Sequence, residues 1–249
     1  IQASEPRVQQ PVQQQRVVQQ QQKPPIQAMG TRVLTVPATE TTIQPVPNKY
    51  VNNPMLTKLH LHDKVTDVSP DALTGCANFS DFQADANNPT FRAVCGMLFS
   101  KYGAELIRVP AASENNVGQI PAYVQVIRKG AFRGCQNVRC IEIPSTVKRI
   151  ESGAFCGLPN LEVVKCSAVH ICNDAFVDCP KLHTFKLGYG TRIIEGTLIR
   201  NSPLLKYLIL PDSIQKLVPQ TYAAMNVNGY SAETKLHKLI ENASTTHIF

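Results

Sequence analysis

Tryptophan is absent from this 249-residue chain and aromatic residues make up only 6% of it. Its basic residues are not interleaved with aromatics, so the stacking platform of a single-stranded nucleic-acid binder is not there, and nucleic acid is not the expected partner. No apolar run approaches the eighteen or so residues of a membrane-spanning helix. The opening stretch, IQASEPRVQQPVQQQ, lacks the apolar core of a secretory signal; what precedes Ile1, and with it the compartment, is left open. None of the eight cysteines (Cys76, Cys95, Cys135, Cys140, Cys156, Cys166, Cys172 and Cys179) forms a C-x-x-C knuckle. Their number is also low for a disulfide scaffold of this length. They read as reduced, buried apolar fillers, which favours a reducing compartment. Glycines occur in GAF and GYGTR, but without the spacing or the lysine of a phosphate loop. The formal charge of +7 points to an acidic partner without identifying it.

At 43% hydrophobic, the chain can build one sizeable core, but not everywhere. Eleven of the first thirty residues are Gln, and eight of the eighteen prolines fall before residue 55. Residues 1–54 are therefore expected to be a low-complexity tail, disordered in isolation and held by a partner surface. Within it, TRVLTVP, with Val33, Leu34 and Val36, reads either as an edge strand added to some sheet or as a featureless patch of linker.

From residue 65 the chain repeats. Ile127 is followed by Ala131, Phe132, Cys135, Val138, Ile141, Ile143 and Pro144. Ile150 leads into Ala154, Phe155, Leu158, Leu161, Val164 and Cys166, and Ile171 into Ala175, Phe176, Cys179, Leu182, Phe185 and Leu187. The copy after Ile194 is looser, with Leu198 and Ile199; an earlier one starts at Val68 and a partial one at Leu217. The steps from Ile127 to Leu217 are 23, 21, 23 and 23 residues. A coil this short, one strand and one helical turn, cannot bury its apolar face alone, so coils must stack. Ala then sits where backbones approach, Phe fills the gap between layers, and Cys or Leu completes the turn.

This pattern resembles the BspA-like leucine-rich repeats, whose consensus runs roughly V-x-x-I-x-x-x-A-F-x-x-C-x-x-L-x-x-I-x-I-P; residues 124–144 follow it closely. The run NPTFRAVCGMLFSKYGAELIRVP (88–110) is similar to that family's inserted hairpin, with its turn at Lys101-Tyr102-Gly103. The resemblance implies an α/β leucine-rich solenoid with one parallel sheet. About five coils of 21–23 residues are expected over 55–225, with the hairpin insert at 88–113 and a C-terminal cap over 226–249.

Chemistry is harder to find. His60 and His62 share a strand face but have no third ligand nearby in sequence. His170 and Cys172 are neighbours to which nothing local supplies an orienting group. No catalytic constellation, metal site, cofactor or small-molecule substrate is expected, and the chain reads as non-enzymatic. The charges say more. Between residues 125 and 216 there are thirteen Lys/Arg against seven Asp/Glu, a difference of +6. Outward strand positions carry Glu142, Lys165, Lys186, Tyr207 and Ile209, flanked by Arg139, His183 and Lys206; this is the expected protein-binding face. The family resemblance implies two functions. One is a cell-surface adhesin or antigen that binds host or neighbouring-cell proteins. The other, favoured by the tail and the charge, is a structural component of a protist flagellar cytoskeleton on an acidic polymer such as tubulin. In that reading Arg7, Arg16, Lys23 and Arg32 pin the tail, and Val33 to Val36 add to a neighbour's strand.

Overall fold

The computed structural model describes residues 32–45, 50–113 and 118–217. The expected cap over 226–249 and the tail residues Arg7, Arg16 and Lys23 lie outside them. These residues wind into a parallel β-solenoid of about seven turns.

The first turns carry β1 (Arg32–Thr35), β2 (Thr42–Ile43), β3 (Leu56–Leu61), β4 (Asp67–Val68) and β5 (Asp81–Ala84). β1, β3 and β5 form one parallel ladder and β2 and β4 a second. Residues 32–36 of the TRVLTVP segment therefore pair within their own chain: Leu34 stands opposite Leu59, and the Val36 amide donates to His60 O at 3.0 Å. Residues 32–45, assigned above to the tail, thus form the first turn of the solenoid. Ile43 and Tyr50 are buried beneath it although no Ala-Phe pair announces them.

The insert follows as three strands, β6 (Phe91–Val94), β7 (Met97–Ser100) and β8 (Glu105–Arg108). The β7–β8 turn falls at 101–104, with Gly103 at φ +82°, as expected. The β6–β7 turn was not anticipated. It places both Cys95 (φ 49°) and Gly96 (φ 77°) in the left-handed region, the backbone of a two-residue hairpin whose usual sequence is Asn-Gly.

Beyond the insert come β9 (Val126–Ile127), β10 (Cys140–Ile143), β11 (Arg149–Ile150), β12 (Val163–Cys166), β13 (His170–Ile171) and β14 (Phe176–Val177). They are followed by β15 (Thr184–Leu187), β16 (Ile193–Ile194), β17 (Ile199–Arg200), β18 (Tyr207–Ile209) and β19 (Lys216–Leu217). The I-x-I strands stack as β10–β12–β15–β18. The V-x-x-I strands β9, β11, β13, β16 and β19 stack as a second parallel ladder, which β8 joins to the insert. The single sheet expected from the sequence is thus several ladders, because each turn contributes more than one extended segment.

No helix occurs among the described residues, so the helical half of the α/β label is not realised. The reason is where the amides go. Phe132 N–H donates to Ala154 O at 2.8 Å, Phe155 N–H to Ala175 O at 2.9 Å and Phe176 N–H to Leu198 O at 3.1 Å. An amide bonded to the next turn cannot close an i→i−4 bond, so the Ala-Phe segments stay non-helical: turns at 131–132 and 154–155, and the start of strand β14 at Phe176. The rings follow the same register: Phe132 stacks on Phe155 at 4.7 Å and Phe155 on Phe176 at 4.6 Å between centroids. In GYGTR, a Cβ at Gly190 would lie 2.6 Å from Ser167 O of the preceding turn, so close backbone approach, not phosphate binding, explains that glycine.

Five of the eight cysteines (Cys76, Cys135, Cys166, Cys172 and Cys179) are buried as expected, but Cys95, in the β6–β7 turn, and Cys140, at an outward strand position, are exposed, and Cys156 is half-buried. Cys76 Sγ donates to Tyr50 O at 2.8 Å and Cys179 Sγ to Phe155 O at 3.4 Å, each reaching back about one turn; all eight thiols are free. Burial pushes the thiols of Cys135, Cys166 and Cys179 from the ordinary 9.0 up to about 12. Because the folded-state values are raised, the stability these thiols contribute is complete below pH 9.0. It is lost as pH rises towards about 12. Urea midpoints should therefore fall between pH 8 and pH 11. Brief iodoacetamide treatment at pH 8 should label the exposed Cys95 and Cys140 and spare these three.

Candidate protein-interaction face

The ladder β10–β12–β15–β18 is in unbroken register, so its outward side chains form rows. One row is Cys140, Val163, Thr184 and Tyr207; the next is Glu142, Lys165, Lys186 and Ile209. Strict alternation produces them: Ile141, Val164, Phe185 and Leu208 point inward and are buried. The outward face is therefore exposed as a consequence of the same pattern that builds the core.

Polarity changes along this face. At one end Arg139 lies 3.8 Å from Glu162, and Lys165 lies 3.9 Å from Glu142. In the middle Lys186 is exposed and has no acidic partner among the described residues. His183 sits beside it with Nδ1 2.9 Å from Thr184 Oγ1, and Lys206 is exposed in the next turn. At the far end Tyr207 is 61% and Ile209 47% exposed, an apolar area on an otherwise charged strip. Leu204, 53% exposed, lies just before that strand and was not singled out from the sequence; an exposed leucine where the repeat phase expects a turn is the signal that would have found it. All eight residues expected on this face are placed on or beside it.

The proposed tail anchors divide differently. Arg32 and Val33 are exposed on β1, whereas Leu34 is half-buried against the N-terminal core and Val36 is fully buried. The histidine pair does not converge. His60 Nε2 is 3.0 Å from Asp85 Oδ1, while His62 Nε2 lies 3.0 and 2.9 Å from the carbonyls of Pro37 and Glu40. Among the described residues no helix is long and apolar enough to cross a membrane.

No curated protein matches the sequence significantly. Residues 112–228 match the model of the BspA-type leucine-rich repeat region, in six copies. Among solved structures, a leucine-rich repeat protein from Eubacterium ventriosum aligns over 79% of this chain and 53% of its own, with a TM-score of 0.64 and 19% identity. The pneumococcal vaccine antigen PcpA aligns over 74% of this chain and 53% of its own, with a TM-score of 0.51 and 17% identity. The chain thus spans about half the length of the structures it matches, and at such identities the likeness is one of fold. Repeat period, stacked ladders and family match agree: residues 112–228 are a BspA-type leucine-rich repeat region, wound as a parallel β-solenoid.

Proposed function

We propose that this chain is a non-enzymatic protein-binding solenoid working at a cell surface through the outward face of β10, β12, β15 and β18. The observation that carries this reading is the gradient on that face. A charge-paired end, an unpaired Lys186 and an exposed Tyr207–Ile209 end give one protein partner both a steering field and an apolar anchor. The likeness to a vaccine antigen supports the surface location. The excess of basic residues supports a second reading, an assembly on an acidic cytoskeletal polymer; no comparison adds to it.

A photo-crosslinking residue at position 186 should trap a partner on intact cells, and one at position 149, on the other ladder, should not. Charge reversal at both Lys165 and Lys186 should weaken that partner by roughly tenfold, less so as salt rises. Trapping that is equal at the two positions, or that occurs only in detergent-extracted cytoskeletons, would reject this face or the surface location respectively.

A further inference from the structure

Outside the proposed binding face, one side-chain cluster is built from groups of three different chemistries. We infer that His170, Cys172 and Glu195 form a site for one divalent transition-metal ion, with zinc the best match. Their ligand atoms all lie within 4.8 Å of one another. The backbone places them. Ile171 of β13 is registered against Ile194 of β16, so the residues that follow, Cys172 and Glu195, are stacked one turn apart. Their amides donate to Ile150 O and Ile171 O, both at 2.9 Å, which holds the pair rigidly.

A second observation is independent of proximity. His170 Nε2 is enclosed and lies 2.8 Å from Glu195 Oε1, yet lacks the alignment that a hydrogen bond requires. A buried ring nitrogen without a directed partner is costly, and an ion shared with the carboxylate and the thiolate would satisfy it. One thiolate, one imidazole and one carboxylate are the donor set of a borderline-soft ion. Their combined charge of about −2 balances a divalent cation.

The surroundings define what binding must do. Glu151, at the equivalent position one turn earlier, is held by Arg128 at 3.3 Å and by the Lys129 amide at 2.8 Å, so it is not the fourth ligand. Water or a partner's side chain would complete the tetrahedron. Arg149 Nη1 lies 3.2 Å from His170 Nδ1 and competes: an ion on Nε2 requires the proton on Nδ1, so the exposed guanidinium must swing away. Binding releases the Cys172 thiol proton to solvent as the metal–sulfur bond forms, with no change of oxidation state.

The test is a cobalt(II) titration of the reduced full chain. One equivalent should give tetrahedral d–d bands and a thiolate-to-cobalt charge-transfer band, and zinc should erase both. Cys172→Ser should lose the charge-transfer band. His170→Gln and Glu195→Gln should each weaken binding by about 10–100-fold, no less than an outer-sphere partner costs. Arg149→Gln should tighten it severalfold, a result that a simple His–Glu ion pair does not produce. Zinc should raise the melting temperature of the parent chain and leave that of Cys172→Ser unchanged, the two melting alike without metal. No saturable band, or a band that persists in Cys172→Ser, overturns the site.

Discussion

Replacing Phe155 with alanine should destabilise the fold by roughly 3–5 kcal/mol, read as a shift in the urea midpoint. Its ring is fully buried between Phe132 and Phe176, nearly parallel to the latter with an interplanar angle of 3°. Removing it opens a gap between two ring faces, and the cost depends on whether the neighbouring turns can close it. They are held apart by the backbone ladder through Phe132 N to Ala154 O and Phe155 N to Ala175 O. Collapse would break those bonds, so the cavity should persist. Because each turn touches only its neighbours, the lesion should also lower the cooperativity of unfolding. Cys135→Ala, which removes one sulfur and a long 3.7 Å contact to Val109 O, should cost only about 1 kcal/mol. Equal costs for the two substitutions would mean that the ring stack is not what couples the turns.

The difference between those two positions was largely legible in the sequence, since Ala-Phe-x-x-Cys recurs at a fixed step and only stacking explains it. Less visible were features that depend on which turn lies next to which. Residues 32–45 escaped because their prolines and their missing Ala-Phe pair break the repeat phrase, while the pairing of Leu34 with Leu59 needs only alternation and a neighbour. Helix was expected from local pattern and did not form, because Phe amides bond to the following turn. The candidate metal cluster shows the same limit. His170 and Cys172 have no orienting group within a few residues, but in a solenoid the spatial neighbour lies one period away. Glu195 stands 23 residues beyond Cys172. Chemistry in such a chain has to be sought at offsets of one repeat.

Arg108→Met should be about as damaging as loss of Phe155, and should separate the solenoid into two parts. The insert lies between two apolar clusters, and β7 feeds both: Leu98 packs with the N-terminal cluster, Met97 and Phe99 with the C-terminal one. Arg108, on β8, is 6% exposed and donates to Pro70 O before the insert and to Gly130 O and Arg133 O after it. Beside it Arg133 pairs with Asp71, a second tie across the same junction. Burial pushes the Arg108 pKa down, with Asp71 among the groups that oppose the shift. Methionine would fill similar space but leave those carbonyls without their charged donor, at a cost of roughly 3–5 kcal/mol. Lysine should rescue only part of this, since one ammonium cannot span carbonyls on both sides as a guanidinium does. Hydrogen exchange distinguishes this from general destabilisation. In Arg108→Met the amides of β3 and β5 should lose protection well before those of β10, β12 and β15, whereas in Phe155→Ala the order should reverse. Uniform loss of protection along the chain would show that the apolar faces of β7 alone join the two cores, and that Arg108 merely satisfies carbonyls.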